Sequence, residues 1–166
     1  MMRLFLLRHG VAVEKTDPRF PADADRPLTP KGIKKTRAAA LGLRELGLAP
    51  NAVLSSPWLR AVQTAEILCD VLGYSQKRIV RLDSLKGTSD VLNLFADLRK
   101  LKASVVVCVG HEPHLHRVIG AVLHTQAHVT DVKKAGVACL ALERISPPQG
   151  RLLALYPARV LRLLGK

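Results

Sequence analysis

The sequence has few aromatic residues, few acidic residues and no long hydrophobic run. Phenylalanine, tryptophan and tyrosine together make up 4% of the 166 residues, which argues against binding single-stranded nucleic acid by base stacking. No apolar stretch approaches the roughly 20 residues of a membrane-spanning helix. The run Leu4–Leu7 ends at Arg8 and is too short for a signal peptide. We therefore expect a soluble, cytoplasmic protein with no membrane partner.

Cysteine is also scarce. Cys69, Cys108 and Cys139 are odd in number and lie among mostly apolar neighbours, which predicts buried, reduced thiols rather than a disulfide framework. Hydrophobic residues make up 48% of the chain, so burial of apolar surface can offset the loss of chain entropy without disulfides or a structural metal. The length, without linkers or repeats, predicts a single domain over residues 1–166.

Acidic residues are half as numerous as basic ones, with 13 Asp and Glu against 26 Lys and Arg and a formal net charge of +13. Such a charge attracts anions, whether nucleic acid, a membrane surface or a phosphorylated substrate. The basic residues are scattered, with the densest group at 31–37 and a smaller pair at Lys133–Lys134. Most of them are interpreted as a solvated surface, and nucleic acid is not expected as a partner.

Apolar runs alternate with longer periodic segments, a pattern that predicts an α/β layered fold. Strands are predicted at Leu4–Leu7, Val53–Leu54, Val105–Val109, Val137–Leu142 and Leu152–Tyr156. The last two have the spacing of a hairpin. Helices are predicted to begin at Thr29-Pro30, at Ser56-Pro57, near Ser89 and after Pro113. In the first two, a hydroxyl caps the helix before a proline, and Gly47 and Gly73 are expected to end them.

Three polar segments follow predicted strands, at Leu7–Gly10, Ser55–Ala65 and Val109–Pro113. Ligands bind at the edge of the sheet where parallel strands end, so these segments are expected to converge on a site. The second and third also open helices, whose free backbone N–H groups suit a phosphate. The polar, proline-rich stretch Asp17–Pro27 is expected to be a loop above the same edge.

Within these segments, Arg8, His9, Gly10, Arg60 and His111 form a set that can attack and hold a phosphate. Guanidinium groups are always charged and match phosphate geometry, so Arg8 and Arg60 are predicted to bind it. A neutral nitrogen of His9 is a competent nucleophile that gives a phosphohistidine intermediate. When protonated, His111 would stabilise charge on the phosphate oxygens, and Gly10 would let the backbone pass close to them.

Four segments together resemble the histidine phosphatase (phosphoglycerate mutase-like) superfamily. In chain order they are Leu7-Arg8-His9-Gly10, Arg26-Pro27-Leu28-Thr29 with Gly32, Ser56-Pro57 followed by Arg60-Ala61 and Gln63-Thr64, and Gly110-His111. Of these, Arg26-Pro27-Leu28-Thr29 with Gly32 is similar to a segment of the small SixA-type phosphohistidine phosphatases. The resemblance covers nearly the whole chain.

The resemblance implies a three-layer α/β/α sandwich with a mostly parallel central sheet, and a hydrolase that needs no metal or organic cofactor. It implies that His9 is the nucleophile, that Arg8 and Arg60 bind phosphate and that His111 is the second histidine of the pocket. Too few residues separate Arg60 from His111 to hold the cap domain of mutase-like relatives. An open, uncapped site suits a phosphate displayed on a large partner, so phosphohistidine in a protein is the expected substrate.

Two features depart from the family pattern. The residues Val11–Lys15 lack the polar residue, commonly asparagine, that follows Arg-His-Gly in mutases, which argues against mutase activity. The general acid has no clear match. Glu112 stands where the acid phosphatase branch carries its proton donor, and Asp90 fits the SixA-type pattern by position. A charge at a helix N-terminus explains Glu112 equally well, and a helix cap explains Asp90. Further candidates are Asp17 and Asp83.

Several alternatives stay open. The chain could be a small-molecule phosphomonoesterase of the same superfamily, or a binding module that recognises phosphate without turnover. A metal site at His111, His114 and His116 is not predicted, because position 116 projects away from the other two on a helix and no Asp or Cys stands at a matching spacing. Supporting rather than reactive roles are predicted for Trp58, Gln63 and Thr64.

Overall fold

Strands and helices alternate along the chain, as the hydrophobic pattern predicts; a computed structural model describes residues 1–166. The strands are β1 (Met2–Arg8), β2 (Ala52–Ser55), β3 (Val80–Arg81), β4 (Val105–Gly110), β5 (Val137–Arg144) and β6 (Gln149–Tyr156). The helices are α1 (Pro30–Glu45), α2 (Leu59–Leu72), α3 (Val91–Arg99), α4 (His114–Val122) and α5 (Ala158–Leu164). Short 3₁₀ turns occupy Asp23–Asp25, Gln76–Arg78 and Asp83–Leu85.

The strand order places β1 and β4 side by side in the middle of the sheet. The order is β3-β2-β4-β1-β5-β6, in which the first four strands are parallel and the β5–β6 hairpin is antiparallel. In this register Arg8 is level with Gly110, and Ser55 with Val109. The residues that follow these strands therefore leave the sheet at one edge, the place where open α/β sheets bind ligands.

Helices cover both faces of the sheet, which confirms the three-layer α/β/α prediction. On one face, α3 and α4 bury Phe95, Leu115 and Ile119 against inward side chains of the strands. On the other face, α1, α2 and α5 bury a second cluster that includes Leu43 and Leu68. Central strands covered on both faces read as continuous apolar runs rather than alternating ones, as the predicted strands did.

The start of α1 follows the sequence signal and the start of α2 does not. The Thr29 hydroxyl accepts a hydrogen bond from the N–H of Gly32, and Pro30 takes the first helical position. The second helix begins at Leu59 rather than directly after Ser56, with Trp58 extended at the cap position. The prediction of a Ser56 cap was wrong because the helix starts three residues later; the Ser56 hydroxyl accepts the N–H of Trp58 at 3.4 Å, before the helix begins.

The other helix boundaries lie within a few residues of the predicted ones. The third helix begins at Val91 rather than near Ser89, and Asp90 caps it, as one of its two interpretations predicted, since the Asp90 carboxylate accepts the N–H of Leu92. Gly73 has a φ of 69° at the end of α2 and Gly47 a φ of 75° just after α1, the left-handed conformation that glycine adopts freely. Helix α5, which the sequence pattern did not predict, packs on α1.

The segment between α2 and β4 holds only β3, two 3₁₀ turns and the short helix α3. No cap domain covers the strand ends, as the spacing predicted. The three cysteines are buried and unpaired. None of the helices combines the length and the apolar character that crossing a bilayer requires.

Candidate active site

The ends of β1 and β4 bring His9 and His111 together. His9 directly follows Arg8, and His111 directly follows Gly110, the residue that is paired with Arg8 in the sheet. The N–H of His9 donates to the carbonyl of Gly110. The two imidazole rings lie 5.0 Å apart between centroids. They line an open cavity of about 370 Å³, together with Arg8 and Arg60. The structure thus gathers the four residues that the sequence analysis placed in one pocket.

His9 is held as a neutral imidazole with one nitrogen available. Its Nδ1 lies 2.7 Å from the carbonyl oxygen of Gly10, and because a carbonyl can only accept, Nδ1 carries the proton. Nε2 therefore has a lone pair, which accepts a hydrogen bond of 3.2 Å from Nε of Arg60. Burial, and to a smaller extent the charges of Arg60 and Arg8, lower the pKa of His9 to about 3. The ring is neutral at neutral pH, as a nucleophile requires.

Arg60 is fixed by contacts along its whole guanidinium group. Besides Nε on His9, Nη1 donates to the backbone carbonyl of Asp23 at 2.6 Å and Nη2 to the Asp23 carboxylate at 3.0 Å. The guanidinium carbon lies 4.7 Å from the centre of the Trp58 ring, a cation–π distance. The position of Arg60 in the first turn of α2 confirms the predicted reach to the strand ends.

His111 is also neutral in this arrangement. Burial, followed by the proximity of His9 and Arg60, lowers the pKa of His111 to about 2. Its Nε2 shares a hydrogen bond of 2.8 Å with the Ser56 hydroxyl, and Trp58 packs against its ring at 4.7 Å. The protonated form considered from the sequence is not the form of the free site. A phosphate dianion at the same place would favour protonation, because an opposite charge stabilises the charged form.

The cavity carries a strong positive charge. Arg8 uses Nη1 to donate a hydrogen bond to the carbonyl of Val132 at 3.1 Å, and its buried Nε has no partner in the free site. Three further cations line the cavity, namely Lys15, Arg26 and Lys134. Sequence reasoning noted Arg26 only within a motif and Lys134 only as part of a basic pair. Such a cluster attracts anions to the cavity.

Only two carboxylates line the cavity, and the sequence analysis found one of them. Glu112 does, but its two oxygens accept the N–H groups of Val132 at 2.7 Å and His116 at 3.1 Å. The second is Asp23, which pairs with Arg60 and Arg26. Asp90 caps α3 and does not reach the cavity. Asp83 pairs with Lys86, and Asp17 with Arg19.

Asp23 was missed because its loop has no regular pattern, although the stretch 17–27 was expected to lie above the strand ends. Burial alone would raise the pKa of Asp23, but hydrogen bonds from Arg26 and Arg60 hold it below its ordinary value. In the free site Asp23 is therefore an anion that neutralises part of the charge of Arg60.

Gln63 and Thr64 have the supporting roles that the sequence predicted, whereas Gly10 does not lie where it was predicted to lie. The Gln63 side chain accepts the N–H of Leu28 at 2.7 Å, which ties α2 to the loop before α1. Thr64 accepts the N–H of Gly10 and donates to the carbonyl of Arg60. Gly10 itself does not line the cavity. A Cβ there would overlap Thr36 Oγ1, so glycine is needed for packing against α1 rather than for approach of a phosphate.

The geometry suits attack on a tetrahedral phosphorus. A neutral, oriented imidazole nitrogen lies beside two arginines, and fixed cations stabilise the charge of a transferring phosphoryl group. The surplus of cations that line this cavity favours a ligand that carries negative charge.

Comparison with known proteins gives consistent matches. The model of the histidine phosphatase superfamily (branch 1) matches residues 4–87. An uncharacterized protein of Picosynechococcus sp. is 36% identical over 140 residues, covering 82% of this chain and 82% of that protein. The protein histidine phosphatase SixA, solved with tungstate, aligns with a TM-score of 0.82 and 27% identity over 96% of this chain and 99% of that one. A probable phosphoglycerate mutase of Enterobacter sp. is 34% identical over 73 residues, covering 44% of this chain and 33% of the mutase.

Proposed function

Because the chain belongs to the histidine phosphatase superfamily (branch 1), we propose that it is a phosphatase acting on phosphohistidine in a protein, through a covalent phosphohistidine on His9. The observation that carries this proposal is the unprotonated Nε2 of His9, whose lone pair accepts a hydrogen bond of 3.2 Å from Arg60 in the free site. Arg8, Arg60 and His111 are the proposed phosphate ligands. We propose no metal or organic cofactor in the reaction.

In the first step, Nε2 of His9 attacks phosphorus. A P–N bond to His9 forms while the bond from phosphorus to the leaving atom breaks, and the leaving atom takes up a proton. Arg60 turns its guanidinium from Nε2 and the Asp23 groups to the phosphate oxygens, and Arg8 offers its unpartnered Nε. In the second step, water attacks phosphorus, the P–N bond breaks, and His9 and inorganic phosphate are released.

We propose that Asp23 supplies the proton of the first step. When a phosphate dianion engages Arg60, the Asp23 carboxylate loses a cationic partner and faces a second anion, and both changes raise its pKa. The carboxyl group then gives its proton to the leaving atom and takes one from water in the second step. For Glu112 we propose a positioning role, because its oxygens already hold the backbone N–H groups of Val132 and His116.

Asp23→Asn is expected to slow hydrolysis of an alkyl phosphate about 100-fold while changing hydrolysis of a phenyl phosphate with an acidic phenol less than about fivefold. A poor leaving group needs protonation in the transition state and a good one does not. Steady-state kcat on the two esters checks this. The matched control is Asp25→Asn, an exposed aspartate of the same 3₁₀ turn, which should change neither rate. Equal losses on both esters would show that Asp23 only positions Arg60.

A protein substrate fits the shape of the site. The cavity is open, since no cap domain lies over the strand ends. The match to the SixA phosphatase extends over 99% of that chain, whereas the match to the mutase covers a third of it. A bulky phosphoprotein can reach His9 from above.

A panel of substrates tests the proposed specificity. In the presence of a chelator, kcat/KM for a histidine-phosphorylated protein is expected to exceed that for sugar phosphates and nucleotides by at least about 100-fold. Higher kcat/KM for a sugar phosphate or nucleotide would instead identify a small-molecule phosphomonoesterase of the superfamily. Absence of turnover on every substrate, with binding of inorganic phosphate retained, would identify a non-catalytic phosphate-binding module and overturn the proposal.

A further inference from the structure

A second cluster of ligating side chains lies beside the active site, outside its cavity. It comprises His116 on α4 with His128 and Asp131 on the loop 123–136 that joins α4 to β5. One ligand atom from each of the three lies within 4.8 Å of the other two. Nε2 of His128 is 3.0 Å from a carboxylate oxygen of Asp131, and the rings of His116 and His128 are 4.3 Å apart between centroids.

We propose that His116, His128 and Asp131 bind a divalent transition metal ion of the zinc class. Two imidazoles and one carboxylate, with a water molecule as fourth ligand, are a donor set that suits Zn²⁺. Tetrahedral zinc, with bonds of about 2.0–2.2 Å, separates its ligand atoms by roughly 3.3–3.5 Å. The His128–Asp131 pair is already near that separation. Both side chains are half exposed, so small rotations toward His116 complete the site.

A carboxylate lies behind His116, the least exposed of the three ligands. Oε2 of Glu112 is 3.4 Å from Nδ1 of His116, and that buried nitrogen has no hydrogen-bond partner. Metal-binding histidines commonly direct their second ring nitrogen to a carboxylate, which fixes the ring and increases its basicity. With Glu112 on Nδ1, the Nε2 atom of His116 is left as the ligand. This arrangement distinguishes the cluster from a surface pair of histidine and aspartate alone.

The metal would fasten the loop 123–136 to α4 next to the phosphate cavity. Val132, one residue after Asp131, donates its N–H to Glu112 and accepts a hydrogen bond from Arg8. A bound ion at Asp131 therefore restrains the backbone that positions a phosphate-binding arginine. The metal would act on the loop and not on the reacting atoms, so hydrolysis in the presence of a chelator remains compatible with it.

Topology explains why the sequence did not indicate this site. The spacing of the histidines along the chain brought His111, His114 and His116 into consideration as metal ligands, although no metal site was predicted there. In the structure, His111 faces the phosphate cavity and His114 is fully buried. The partners of His116 come instead from positions 12 and 15 residues later, on a loop whose path no helical spacing predicts. These ligands are brought together only by the return of the chain from α4 to β5.

Titration with Zn²⁺ alone, followed by calorimetry and by thermal unfolding, tests the proposal. One equivalent is expected to bind, and a concentration of about 100 times Kd should raise Tm by about 5–10 °C. His128→Asn and Asp131→Asn are each expected to weaken binding at least about tenfold and to abolish the rise in Tm. The matched control is His124→Asn, an exposed histidine of the same loop outside the cluster, which should bind as the unaltered protein does.

A second variant separates this site from the catalytic histidines. In His9→Ala, one equivalent of Zn²⁺ should still bind with unchanged affinity, because His9 contributes no ligand to the cluster. Binding that is lost in His9→Ala and kept in His128→Asn would place the ion in the phosphate cavity and overturn the proposal. No saturable binding by the unaltered protein, or unchanged affinity in both loop variants, would overturn it as well.

Discussion

Replacing His9 with alanine is expected to lower turnover of every phosphate substrate by about 10⁴-fold or more, since loss of a covalent nucleophile removes the reaction path itself. The hydrogen bond from Nδ1 of His9 to the carbonyl of Gly10 leaves Nε2 of His9 without a proton, and this Nε2 lies next to Arg60. No other imidazole nitrogen in the cavity combines these two features. Steady-state kinetics measures the loss. Rapid mixing with a ³²P-labelled substrate and quenching in alkali, where phosphohistidine survives, should trap label on the unaltered protein and none on the variant.

The same variant should retain the phosphate-binding pocket. Arg8, Arg60 and His111 are unchanged, so inorganic phosphate or tungstate is expected to raise the Tm of His9→Ala by an amount similar to that of the unaltered protein. This measurement separates loss of the nucleophile from loss of the fold. Turnover at the wild-type rate, or label trapped on the variant, would show that another residue is the nucleophile.

The part of the site built on strand ends was predictable from the sequence. Apolar runs at β1 and β4 place Arg8-His9 and His111 directly after buried strands, and parallel neighbours end at one edge. Arg60 follows from the helix that opens after β2. These inferences succeed because each rests on a local pattern, a run followed by a polar group, and on a topology that alternating strands and helices strongly favour.

The parts built by loops were not predictable. Asp23 reaches Arg60 across 37 positions of sequence, and Val132 reaches Arg8 across 124. No periodicity encodes such contacts, which depend on how an irregular segment folds over the sheet edge. Ser56 shows a related limit: its sequence context fits a helix cap, but the helix begins at Leu59 and the hydroxyl forms a tertiary hydrogen bond with His111 that no local pattern predicts. Local propensity is a weak prior that tertiary contacts override.

Gly10 illustrates a correct residue with an incorrect reason. The position does require glycine, as the family motif implies, but the space that a Cβ would need is filled by Thr36 of α1. Its N–H is donated to Thr64, so it is not free for a phosphate oxygen. The motif therefore combines two requirements in adjacent positions: His9 for chemistry and Gly10 for docking α1 and α2 against the end of β1.

Arg60→Lys is expected to lower kcat/KM for phosphate substrates by about 10²–10³-fold, the usual cost of losing one preorganised donor in the transition state. Lysine keeps the charge but has no planar fork, so it cannot bind two phosphate oxygens at once, as Arg60 does after it turns from His9 and Asp23. The effect should fall mainly on kcat/KM, with no change in the leaving-group dependence that marks Asp23. The matched control is Arg37→Lys, a half-exposed arginine paired with Asp70 on the surface, which should stay within about twofold of the unaltered protein because surface pairs contribute little. If Arg60→Lys retained kcat/KM to within about threefold, the fork of Arg60 would not be a phosphate ligand. Arg8, with its free Nε, would then have to hold the transferring group with His111 alone.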